Sequence, residues 1–89
     1  MSAGFVMLEM VQKTVQERGR IYGSAKENMD VTAKLWSVVL GKEITGVQVG
    51  LCLLQLKVAR LLQSPNHIDS CTDLAGYAYV IRECQDSGK

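Results

Sequence analysis

A chain of 89 residues makes one domain, 1–89, whose core is adequate but not generous. With 47% apolar and 21% charged residues and a net charge of +1, it carries no electrostatic footprint for DNA, RNA or a membrane surface. Three cysteines, an odd number without CxxC spacing, argue against a disulfide framework or a zinc knuckle; Cys52, Cys71 and Cys84 are expected to be reduced and buried.

Phe5, Leu8, Val11 or Gln12, and Val15 recur at helical spacing, which predicts a first helix from about Gly4 to Arg18, ended by Gly19 as a left-handed cap. The link Arg20-Ile21-Tyr22-Gly23 leads to Ser24, where Ser24-x-x-Glu27 reads as a capping box. The second helix turns Ala25, Met29, Thr32 or Ala33, Trp36, and Val39 or Leu40 to one face and stops at Gly41. Trp36 is expected to be its largest contribution to the core, and its loss to be severe. Thr45-x-x-Gln48 is a further capping box, with Ile44 and Val49 as its hydrophobic staple. From there to Gln63 leucine and valine wrap more than half the circumference, which marks a central helix contacted from several sides. Pro65 ends it. Asn66 reads as the cap of a last helix that turns Ile68, Cys71, Leu74, Ala75, Ala78 and Ile81 inward.

There is no strand alternation and no internal repeat, so the fold class is all-α: a small antiparallel helical bundle of about four helices. So apolar a central helix in so short a chain predicts a homo-oligomer. Residues 1–4 and 85–89 are expected to fray. The apolar stretch Phe5–Met10 contains Glu9 and has no basic flank, and Lys57 and Arg60 break the central run. Neither reads as a signal peptide or membrane span, which predicts a cytoplasmic protein.

The chemistry gathers in two places. Lys57 and Arg60 lie three residues apart on the central helix, and Asp69 and Asp73 follow at i,i+4 on the next, with Gly76 and Tyr77 one turn beyond. Four buried charges cost several kcal/mol unless well paired, roughly the scale at which a ligand completing the pairing becomes the natural explanation. Lys and Arg would hold phosphate oxygens, and Asp would accept from ribose or base. The plain alternative is a salt-bridge network between two helices. Arg18, Arg20 and Tyr22 form a basic, aromatic segment able to close over an anionic ligand, the alternative being a solvated loop with Tyr22 wedged into the core. His67 and Cys71 are spaced for contact on one helix face, but nothing supplies an oxyanion hole, and no P-loop, GxGxxG or GxSxG is present.

The order Glu17-Arg18-Gly19-Arg20-x-Tyr22-Gly23, Asn28, Trp36, Leu56-Lys57-x-Ala59-Arg60, Ser64-Pro65-x-His67-x-Asp69-Ser70 and Asp73-x-Ala75-Gly76-Tyr77 resembles a family of small, functionally undefined phage and prophage proteins. That pattern is similar, more loosely, to the MazG-like all-α nucleoside triphosphate pyrophosphohydrolases, helical dimers or tetramers that hold Mg²⁺ with an ExxE helix and a following ExxD helix. Here Lys57-x-x-Arg60 stands in the place of ExxE. A pair of cations does not bind Mg²⁺ but does bind phosphate, so the resemblance implies a nucleotide pocket and weakens the case for metal-dependent hydrolysis.

The leading expectation is a phage-type small nucleotide-binding protein, a sponge for a host immune signalling nucleotide, with no catalytic residues and no cofactor. Its ligand would be held by Arg18, Arg20, Tyr22, Lys57, Arg60, Asp69, Asp73 and Tyr77. The enzyme alternative is a MazG-like pyrophosphohydrolase in which Asp69 and Asp73, with Glu27 from another helix, hold Mg²⁺. A third class is an interaction module that inhibits a host factor through an exposed helix face.

Overall fold

The computed structural model describes residues 2–86, in which the chain forms four helices: α1 (Ala3–Tyr22), α2 (Ala25–Leu40), α3 (Gly46–Gln63) and α4 (Ile68–Asp86). No strand occurs among the described residues. Ala3, Gly4, Gln85 and Asp86, where fraying was expected, are helical; Met1 and 87–89 lie outside the described residues. Ser2 begins α1 by accepting a hydrogen bond from the Phe5 amide at 3.2 Å, which satisfies one of the amides a helix start leaves without a partner.

The helix boundaries follow local chemistry, with two corrections. The Thr45 and Gln48 box is complete, the Gln48 amide donating to Thr45 Oγ1 at 3.2 Å and the Thr45 amide to Gln48 Oε1 at 2.9 Å. At Ser24 the hydroxyl accepts from the Glu27 amide and itself donates to the Glu27 carboxylate, so the second arm closes on the side chain. The first correction is the end of α1. It runs through Gly19 to Tyr22, and Gly23, at φ 85°, makes the left-handed turn that a side chain would strain. Gly19 has nothing within 4 Å of where its Cβ would be, so no neighbour forces a break there. The second is the cap of α4. His67, not Asn66, supplies it, Nδ1 accepting from the Ser70 amide at 3.2 Å and lying 2.8 Å from the buried Ser70 hydroxyl. His67→Ala is therefore expected to cost about 1 kcal/mol, the usual worth of an N-cap, and thermal melting would show whether His67→Asn restores it.

α3 and α4 are antiparallel, Gly50 facing Ile81 and Lys57 facing Asp73. α1 lies along α4 in the same sense. Met7 Sδ is 3.7 Å from Cys71 Sγ near the start of both, and Lys26, just past the end of α1, is close enough to Cys84 near the end of α4 to act on its thiol. α4 touches all three other helices, whereas α3 touches α2 and α4 but not α1 among the described residues. The element contacted from several sides is thus α4. Much of the apolar coat of α3, including Leu51, Leu56 and Leu62, faces outward.

The core is small and sits where α2, the start of α3 and the end of α4 cross. Val49 is fully enclosed, beside Met29, Ala33 and Cys84, with Ile44, Val47, Leu53, Val80 and Trp36 packed against them. Trp36 covers the edge of this cluster, partly exposed, rather than filling its centre. Ser37 ties the α2–α3 link to it, donating to the Ala33 carbonyl at 2.7 Å and accepting from the Ile44 amide at 2.8 Å. Burial pushes the Cys84 thiol above its ordinary range, which keeps it neutral; Cys52 and Cys71, expected inside, are exposed. Phe5, Leu8, Val39, Leu40, Ile68 and Ala78, also expected inward, are exposed as well. What lies beneath α1 is a cavity.

Candidate nucleotide cavity

Because α1 rests on α4 without reaching α3, a space of about 500 Å³ remains between the helices. From α1, Val11, Thr14, Val15, Arg18 and Tyr22 face it at spacings of three and four residues, so one stripe of the helix supplies an apolar half and a polar half. From α4 the lining runs from Thr72 to Glu83, about 16 Å along the axis at 1.5 Å per residue. α3 adds Leu53 and Lys57, and the start of α2 adds Ser24 and Asn28.

Of the eight residues singled out in the sequence, five line this one space: Arg18, Tyr22, Lys57, Asp73 and Tyr77. Lys57 Nζ is 2.9 Å from Asp73 Oδ2, with the lysine side chain 14% exposed and the carboxylate 42%. The pair is thus lopsided. Lysine threads its methylenes through the wall between α3 and α4, while aspartate keeps access to water and to the cavity. Tyr22, the last residue of α1, is exposed and stands at the edge, whereas Tyr77 is partly buried in the wall.

The other three are not brought to the cavity. Arg20, Arg60 and Asp69 are exposed and absent from its lining. Each has a local reason to stand where it does. Arg20 and Arg60 lie in the last turns of α1 and α3, and Asp69 in the first turn of α4, where each sign complements the helix macrodipole. The expected four-charge cluster therefore resolves into one ion pair, Lys57 with Asp73, and two helix-end charges. Arg18, Arg20 and Tyr22 belong to the final turns of a helix, not to a loop.

Asn28, Thr72 and Glu83 also line the space, unassigned from the sequence. Asn28 carried a signal in its position one turn after the Ser24 cap. Glu83 carried none, since only the docking of α4 beside α1 brings it there. Among the described residues, no three His, Cys, Asp or Glu side chains come together in a way that could hold a metal ion. Glu27 is exposed and engaged with Ser24. His67 is committed to Ser70 and Cys71 to Met7, so the two do not form a nucleophile and base. No helix among the described residues is long and apolar enough to cross a membrane.

A family model described as a domain of unknown function, DUF6378, matches residues 6–85. The chain is 39% identical over 70 residues to the Gene 55 protein of Mycobacterium phage L5, a stretch that covers 78% of this chain and 45% of that protein. To the Gene 55 protein of Mycobacterium phage D29 it is 40% identical over 73 residues, covering 81% and 48%. The chain thus spans about half the length of these phage relatives. No solved structure matches it.

Proposed function

The chain belongs to the DUF6378 family, and from that footing we propose that it is a phage-type nucleotide-binding protein whose ligand occupies the cavity between α1 and the α3–α4 pair. The observation that carries this reading is the convergence of Arg18 and Tyr22, Lys57, and Asp73 and Tyr77 from three helices onto one space of about 500 Å³. That volume lies within the range of small-ligand sites. Its residue types match the parts of a nucleotide: two cations for phosphate oxygens, two phenol rings for stacking on a base, and a carboxylate and an amide, Asp73 and Asn28, for ribose hydroxyls or base edges.

The mode we infer is sequestration of a host signalling nucleotide in the bacterial cytoplasm, by a protein that self-associates, without DNA or RNA as partner. Holding a ligand needs only the contacts above. The Mg²⁺-dependent pyrophosphohydrolase alternative asks for Asp69 and Asp73 on one metal, and Asp69 lies outside the lining.

Calorimetric titration against a panel of linear and cyclic nucleotides, followed by heat denaturation of the complex, tests both steps. Saturable binding with intact ligand recovered is the expected result. Pyrophosphate released only with Mg²⁺ would favour the enzyme, and no binding across the panel, with a host protein captured instead, would favour the interaction module.

A further inference from the structure

We propose that the outer stripe of α2 is the surface on which a second copy of this chain docks, α2 against α2 in antiparallel sense about a twofold axis. This rests on the self-association inferred above and assigns it a face. The first support is area. The chain exposes 6527 Å², whereas a compact monomer of 9.8 kDa is expected to expose about 5,200 Å². The excess of about 1,300 Å² is larger than the ~800 Å² each partner contributes to a standard interface. The shape agrees: the radius of gyration is 13.9 Å, against about 12 Å expected for this length.

The second support is where the apolar surface lies. Val31, Leu35, Val38 and Val39 are exposed, the last two at 82%. At 100° per residue the four fall within an arc of about 100°, the width of an apolar stripe that faces a partner helix. The opposite side of α2 carries Met29 and Ala33 into the core, so the helix is apolar on two sides and its own chain covers one.

The third support is charge. Glu27 lies one turn before the stripe and Lys42 just past its end, both exposed. An antiparallel twofold pairing sets Glu27 of one copy against Lys42 of the other, twice, with valine and leucine between them. A parallel pairing would oppose like charges at both ends. The stripe faces away from the core on α2 and meets the cavity lining only near the start of that helix, at Asn28.

Sedimentation velocity of the full chain at micromolar concentration is the test, with helicity followed by circular dichroism. Wild type is expected to be dimeric. Val38→Glu should weaken association at least tenfold at unchanged helicity, since Val38 makes little contact within its own chain. Glu27→Lys and Lys42→Glu should each weaken it, and the two together restore it. Phe5→Glu, on the exposed face of α1, should leave it intact. A monomeric wild type would overturn self-association and this face together. A dimer that withstands Val38→Glu, or charge reversals that do not compensate, would overturn the α2 face alone.

Discussion

Replacing Gly50 with valine is expected to lower the stability of the fold by at least about 3 kcal/mol, the upper end of what overpacking costs. Gly50 is buried in the crossing of α3 and α4, and a Cβ built there would stand 2.7 Å from Ile81 Cγ1 and 3.9 Å from Ile81 Cα. The obstructing atom, Cγ1, is one bond beyond the branch point of a β-branched side chain, which a helix holds largely in one χ1 rotamer, so it has little room to swing aside. The helices would have to separate instead, opening the contact that encloses Val49 and Cys84. Alanine is the informative control. It gains about 1 kcal/mol of helix propensity over glycine and meets the same Ile81 carbon, so its net cost should be well below that of valine. The measurement is the urea midpoint of each variant at constant slope. A valine variant as stable as wild type would show that α3 and α4 part without loss. A loss of this size is a large share of the 5–15 kcal/mol typical of a native domain.

Gly50 shows where the sequence stops being legible. In a helix of leucines and valines it reads as a tolerated interruption, and only the approach of Ile81 from a segment some thirty residues away gives it a role. The starts of α2 and α3 are readable because their signals are local: Ser24 and Thr45 accept from amides three residues on, as their spacing implies, whereas at α4 a histidine takes the place that the spacing assigns to Asn66. Helix ends were less so. Gly19 and Gly23 are alike as residues, and the choice of Gly23 is made by the turn into Ser24. The inward faces of α1 and α4 were misjudged at Phe5, Leu8 and Ile68 because periodicity says which residues share a face, not whether another helix covers that face along its whole length.

The site followed the same division. Arg20, Arg60 and Asp69 were of the right type for a phosphate or ribose contact, yet the same residue types in the same short windows are favoured at helix ends by the macrodipole. Sequence does not distinguish a cation waiting for a phosphate from a cation facing the last carbonyls of its own helix. Lys57, Asp73 and Tyr77 differ in lying in the bodies of helices, on faces that they share with Leu53 and Val80 and that turn toward other helices. Arg18 and Tyr22, in the last turns of α1 like Arg20, reach the space because they continue the stripe of Val11 and Val15, whereas Arg20 lies off that stripe.

Lys57→Met is expected to divide binding from stability. Only one end of the Lys57 and Asp73 pair is enclosed, so removing the lysine charge leaves Asp73, 42% exposed, to be solvated by water. The stability cost should stay within about 1 kcal/mol, as for other partly exposed pairs, and methionine retains most of the methylene packing. Nucleotide affinity should fall at least about tenfold, or 1.4 kcal/mol, a modest demand for a lost charge-assisted phosphate contact. Asp73→Asn should cost more stability than Lys57→Met, because it leaves the more enclosed member, Lys57, without its counter-charge. A purely structural pair would behave otherwise: both variants would leave nucleotide titrations at wild-type affinity. Arg60→Met serves as the reference, since Arg60 lies outside the cavity and its loss should move neither the melting temperature nor the affinity by more than a surface charge does. Titration calorimetry on the three folded variants, beside their thermal melts, gives both readouts. Wild-type affinity in Lys57→Met would remove the cavity from consideration as the nucleotide site.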